Sequence, residues 1–131
     1  MAKQEPSMDA WLKEAKADPQ ASQCGMYLAH NGVVRLTPKA QVRKGATDLP
    51  PVTSVDFSSD SEGVQKAIER TLKMPGVFYV RVWLNEGVLE VGQSIMYVLI
   101  GGDIRPHVID ALQELVGTIK NDLVVEKEIY A

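Results

Sequence analysis

The run from Ile95 to Ile100 (IMYVLI) is apolar at every position. Successive residues of a strand point to opposite faces, so a strand of this composition needs cover on both sides and belongs at the centre of a sheet. The rest of the chain must supply its neighbours and its cover.

Strand candidates stand on either side of it. Val77 to Leu84 (VFYVRVWL) alternates, with Phe78, Val80, Val82 and Leu84 on a wholly apolar face, and Asn85-Glu86-Gly87 turns the chain into Val88 to Val91. Met26 to Leu36 (MYLAHNGVVRL) is rich in apolar and β-branched residues, with Asn31-Gly32 marking a bulge or kink ahead of Arg35. Val52 to Phe57 is a further short strand.

Three segments carry helical spacing. Trp11, Leu12 and Ala15 predict a short amphipathic helix over residues 8 to 17, ended near Asp18-Pro19. The Ser58-Ser59-Asp60-Ser61 cluster offers N-caps for a helix running to Met74, with an apolar stripe of Val64, Ala67, Ile68 and Leu72; Pro75-Gly76 stops it. After Gly101-Gly102, Asp103 is the expected N-cap of a helix that tolerates Pro106 in its first turn and buries Val108, Leu112, Leu115, Val116 and Ile119. Lys120 then falls at its C-terminal end, where positive charge complements the helix dipole.

A last strand, Leu123 to Tyr130, sets Leu123, Val125, Lys127 and Ile129 on one face and Val124, Glu126, Glu128 and Tyr130 on the other. Lys127 thus shares the more apolar face. A partly desolvated lysine serves as proton donor, base or nucleophile nearer neutral pH; the alternative is an ammonium that snorkels to water from a strand near the terminus. From Met26 onward the order is strand, helix, strand, strand, helix, strand. This predicts an α+β fold, a ferredoxin-like split βαβ sandwich with two helices on one face of an antiparallel sheet, a small β extension and an N-terminal helix.

At 131 residues, 45% apolar and 24% charged, the chain is sized for one domain spanning 1–131. Residues 1–7 are expected to be disordered. The stretch 37–51, rich in Pro, Gly and Thr, is expected to be a mobile loop, a lid or binding segment if not merely solvated. The net charge of -3 provides no global attraction to nucleic acid or anionic lipid. Cys24 has no disulfide partner, and His30 and His107 do not make a zinc ligand set, so no metal is expected. Met1 to Met8 lacks the apolar core of a signal peptide and no apolar run approaches the roughly 20 residues of a membrane span, so the expected setting is cytoplasmic.

The C-terminal half resembles a known family, the large (catalytic) subunit of molybdopterin synthase. That family runs His-Arg-x-Gly-x-Leu-x-x-Gly, an apolar strand, a second His-Arg opening a helix, then two lysines seven residues apart. From Leu84 onward the pattern is met without a gap by Gly87, Leu89, Gly92, Arg105, Lys120 and Lys127. Upstream, Gly25 and Gly32-Val33-Val34-Arg35 resemble the family's glycine, apolar strand and Gly-x-Val-Arg segment. The chain departs where the first His-Arg is Leu84-Asn85, where the second histidine is Ile104, and where the Pro and Trp before the final lysine are Val124 and Glu126.

The resemblance implies sulfur transfer from the thiocarboxylated Gly-Gly C-terminus of a small ubiquitin-like subunit to cyclic pyranopterin monophosphate, giving molybdopterin without a metal or organic cofactor. It implies a homodimer of large subunits with one small subunit at each end, a heterotetramer. By the same resemblance Lys120, Lys127 and Arg35 are the catalytic residues. Arg105, with Lys39, Arg43 and Lys44 of the basic loop, would bind the anionic pterin, since guanidinium and ammonium groups suit phosphate. Two other readings stay open: a relative impaired by loss of the two histidines that binds the small subunit as a scaffold, and a ferredoxin-like module that binds a small anion through Gly101-Gly102 and Arg105. RNA binding is disfavoured, because Phe78 and Tyr79 point to opposite faces and the aromatic signature of RNA-recognition sheets is missing.

Overall fold

The structure, a computed structural model, describes residues 4–45 and 49–131. Its centre is β5 (Ser94–Gly102), buried along its whole length as its composition demands, between β1 (Met26–Val33) and β3 (Val77–Leu84), antiparallel to both. Val98 lies opposite His30 of β1 and Val82 of β3.

The two faces of this sheet are covered differently. On one side α3 (Ser61–Leu72) and α4 (Arg105–Thr118) enclose the main core, in which Met96, Val98 and Ile100 of β5 meet Val64, Val108 and Leu115. On the other side α1 (Met8–Lys16), capped by the Ser7 side chain, lays Trp11 and Ala15 on Tyr97 and Leu99. Trp11 meets Tyr97 edge to face at 6.1 Å, and the Arg81 guanidinium stacks over Trp11 at 4.5 Å while pairing with Glu14 at 2.6 Å.

The β extension is larger than the sequence suggested. β4 (Gly87–Glu90), β2 (Val52–Ser59) and β6 (Val124–Tyr130) form a second antiparallel sheet of three strands in the order β4-β2-β6. The ferredoxin-like order of elements holds, with its closing strand β6 hydrogen-bonded to β2.

Several local expectations shift by a residue. A bulge between Val77 and Tyr79 brings Val77, in place of Phe78, into the core with Val80, Val82 and Leu84. In α3 the buried stripe is Val64, Ala67 and Thr71, whose hydroxyl donates to the Ala67 carbonyl at 2.8 Å, so Leu72 is left on the exposed flank. Ile104, not Asp103, occupies the N-cap of α4; Asp103 instead accepts the Ile104 N–H and pairs with His107 at 2.8 Å. The bulge expected near Asn31-Gly32 lies between Gly32 and Val33.

The stretch expected to be a mobile loop contains a helix, α2 (Lys39–Lys44). Pro38 starts its turn by accepting the Gln41 and Val42 N–H groups, and Glu128 of β6 accepts the Lys39 N–H at 3.0 Å, one of the donors that a helix start leaves without an intrahelical partner. Residues 46–48 lie outside the described ones. Of the seven N-terminal residues expected to be disordered, 1–3 also lie outside them, whereas Ser7 caps α1 and the Glu5 carboxylate accepts the Tyr97 hydroxyl at 2.7 Å.

Candidate functional site

Arg35 is positioned by a turn some sixty residues away in sequence, at about the scale that a sheet routinely brings together. Val34, the preceding residue, is clasped between the Gln93 carbonyl and the Gly92 N–H, each at 2.9 Å, and Gly92 holds φ at 91°, a left-handed conformation that favours glycine. Val34 is therefore buried and Arg35 emerges into solvent, with its Nε donating to the Thr37 carbonyl at 3.0 Å.

Lys120 reaches the same place from the other end of the fold. The chain leaves α4 through a π-helical turn, Ile119–Leu123, anchored by the fully buried Ile119. Such a turn carries one more residue per hydrogen-bonded ring than an α-helix and recurs at functional sites. Lys120 joins Arg35, Thr37, Lys39, Glu126 and Glu128 around a cleft of about 50 Å³ whose apolar wall includes Val34, Val55 and Ile95.

The cleft is closed on one side by α2. Lys39 pairs with Glu126 at 2.7 Å, and only 8% of the Glu126 side chain is exposed, so this contact is shielded from water far more than a surface ion pair. Glu128 holds the start of α2 with one oxygen and accepts the Tyr130 hydroxyl with the other at 2.8 Å; that bond, with some burial, raises the phenol above its ordinary value. Three cations, Arg35, Lys39 and Lys120, thus face two carboxylates. The arrangement can hold an anion.

The structure brings together three of the residues singled out in the sequence, Arg35, Lys39 and Lys120. Lys127 is placed apart. Glu126 and Glu128 point into the cleft, so alternation along β6 turns Lys127 to the opposite face, where it is exposed and registers with Asp56 of β2. In the single chain, then, the more apolar face of β6 is the outer one, and of the two readings of Lys127 the exposed ammonium holds, not the desolvated one: Val125 is 56% exposed and Ile129 41%. Arg105 is exposed at the first turn of α4, and Lys120 lies past its last turn; a helix of 14 residues separates them, roughly 21 Å at 1.5 Å per residue. Arg43 and Lys44 end α2, and their side chains lie outside the described ones.

Sequence reading missed Glu126 and Glu128 as cleft residues. Their signal was present: two carboxylates at i and i+2 share one face of a strand, and a basic segment elsewhere must neutralise them. It also passed over His30, whose pKa is lowered, first by burial and then by the nearby Lys120 charge. Among the described residues no cluster of His, Cys, Asp and Glu is arranged to hold a metal ion, and no helix is long and apolar enough to cross a membrane.

Comparison with known proteins agrees with this frame. The family described as MoaE protein matches residues 1–122, a span that includes Arg35, Arg105 and Lys120 and ends before Lys127. Among solved structures, a molybdopterin synthase from Staphylococcus aureus is similar with a TM-score of 0.73 at 15% identity, over 97% of this chain and 88% of that one. A molybdopterin cofactor biosynthesis protein E from Burkholderia multivorans gives 0.72 at 15% identity, over 98% and 84% of the two chains. A complex of subunits 1 and 2 of molybdopterin-converting factor from Helicobacter pylori gives 0.65 at 17%, over 95% and 80%. No curated protein matches the chain. The family match over nearly the whole length and the shared fold place this chain in the MoaE family, that of the molybdopterin synthase large subunit.

Proposed function

We propose that the chain transfers sulfur from the thiocarboxylated C-terminus of a small ubiquitin-like subunit to cyclic pyranopterin monophosphate, forming molybdopterin. The observation that carries this reading is the convergence of Arg35, Lys39 and Lys120, from three separate segments, on one cleft. Arg35 suits the substrate phosphate, since a planar, charged guanidinium fork can donate two parallel hydrogen bonds to one phosphate. Lys120 suits proton transfer to and from the sulfur-bearing carbonyl intermediate, or its covalent capture. The cleft, at about 50 Å³, is smaller than the several hundred Å³ of ordinary ligand sites, so substrate entry requires α2 to move off Glu126 and Glu128.

Lys127 and Arg105 join the reaction only from other surfaces. A homodimer is consistent with their exposure: a second copy could bring Arg105 to a neighbouring cleft and cover the outer face of β6. The subunit pairing named for the Helicobacter pylori complex supports a small partner subunit here as well.

Two observations favour the scaffold reading in its place. The two family histidine positions hold Leu84 and Ile104, and the Lys39–Glu126 pair spans the cleft. The deciding experiment is turnover of cyclic pyranopterin monophosphate with the thiocarboxylated small subunit, run beside Lys120→Ala and Lys127→Ala. The synthase reading expects product from the unmodified chain and a loss of about 100-fold or more in Lys120→Ala. A tight complex with the small subunit and no product from the unmodified chain would establish the scaffold.

A further inference from the structure

The pairing of β1 with β5 skips a residue just ahead of Arg35. Asn31 faces Tyr97 and Gly32 faces Met96, but Val33 faces Ser94, so Ile95 is passed over. Ile95 and Met96 both enter the main core, whereas neighbours on a regular strand point to opposite faces. A bulge also disrupts the ladder locally, and β5 is buried here: Ser94 and Ile95 are each 6% exposed and Met96 0%. Buried carbonyls in such a place need other donors.

Two asparagines supply them. From the β3 side Asn85 donates its backbone N–H to the Ile95 carbonyl at 2.8 Å and its side-chain amide to the Ser94 carbonyl at 3.0 Å. From β1 the Asn31 amide donates to the Met96 carbonyl and to the Ser94 hydroxyl, both at 3.1 Å, with a longer contact to the Gly32 carbonyl at 3.4 Å. Asn31 thus grips β5 on either side of the residue that is passed over. It is itself exposed and belongs to neither apolar core, so these bonds are what it contributes.

The register beyond the bulge shapes the cleft. Because Ile95 is passed over, Gln93 and Gly92 reach Val34, Arg35 leaves the sheet next, and Ile95 stands with Val34 on the apolar wall. In regular pairing Val33 would face Ile95, Gln93 would fall opposite Arg35, and Ile95 would turn to the other face of the sheet. We propose that Asn31 is a positioning residue for Arg35: its amide holds the bulge in the register that keeps Ile95 on the cleft wall and delivers Gln93 and Gly92 to Val34. Its effect on turnover rests on the sulfur-transfer reading; its effect on Arg35 does not.

Two measurements on the full chain test this. Asn31→Ala removes the amide, and Asn31→Asp keeps its shape but removes its donors. By amide hydrogen exchange, Val34 and Gly92 should exchange about tenfold faster or more in both variants, with the amides of α4 at their original rates, and the Arg35 Nε–H signal should shift as its bond to Thr37 is disturbed. Original rates at Val34 and Gly92 in either variant would overturn the proposal, whether or not the chain turns over substrate. In the turnover assay each variant should raise KM about tenfold with kcat changed less than about twofold, the pattern of lost substrate binding. Placed in an Arg35→Ala background, Asn31→Ala should add less than about twofold, since a residue that acts through Arg35 then has nothing left to act on. An unchanged KM in Asn31→Ala, or its full effect in the double variant, would also overturn the proposal. Absence of turnover in the unmodified chain would count against the synthase reading alone, and the exchange rates would still decide the role of Asn31.

Discussion

At the scale of residues, Gly92 does more for the site than any group that lines it. Its left-handed backbone turns the N–H toward the Val34 carbonyl, and this clasp decides where Arg35 leaves the sheet. Gly92→Ala is expected to cost about 1–2 kcal/mol in chemical denaturation, the strain of a side chain at that φ, and to reduce turnover by displacing Arg35. His30 makes stability depend on pH with a definite sign. Its folded pKa lies below the ordinary 6.5 because burial and Lys120 disfavour the charged ring. Between those two values the unfolded chain holds more protons, so stability rises with pH, is full above 6.5 and is lost as pH falls through the folded value. Asp103, held low chiefly by its bond to His107, adds loss in the same direction at lower pH, as the carboxylate protonates. Melting curves across the mildly acidic range should flatten in His30→Gln and leave the Asp103 contribution in place.

At the scale of elements, α1 and α2 are each fastened by few contacts. Trp11 is 5% exposed and supplies most of what α1 buries, so Trp11→Ala should lower stability by about 3 kcal/mol and free the N-terminal segment to proteolysis. Glu126→Ala removes the shielded partner of Lys39; a loss of about 1 kcal/mol and faster cleavage within 37–51 are the expected results. The difference between the two helices is also a difference in legibility. Helix α1 could be read because Trp11, Leu12 and Ala15 repeat at its own period. Helix α2 could not, since what holds its first turn is Glu128, distant in sequence, and a six-residue helix has little period to display. β5 announced itself by composition, and the core face of α4 by spacing. The pairing of β6 with β2, and with it the side of the strand that faces the cleft, depended on long-range register that no local pattern encodes. Arg35 and Lys120 were singled out by the resemblance to a known family, whereas Glu126, Glu128 and His30 needed the assembled sheets.

At the scale of the whole molecule, the outer face of the second sheet is the unfinished part. Val88, Val125 and Ile129 are 63%, 56% and 41% exposed beside Lys127, more apolar side chain than one sheet face of a small monomer usually leaves in water. If a second copy covers it, the chain should sediment as a dimer, and Val125→Glu combined with Ile129→Glu should give a folded monomer. A monomeric unmodified chain would remove this face from the dimer. The exposure of that face follows from the π-helical turn at Ile119–Leu123. Deleting one residue there would advance β6 by one position, and a strand shifted by one exchanges its two sides completely. Lys127 and its apolar neighbours would turn inward, and Glu126 and Glu128 would turn out to solvent. A single extra backbone unit thus sets the phase between helix and strand, and that phase, as much as the identity of any side chain, determines whether the floor of the cleft is acidic or basic.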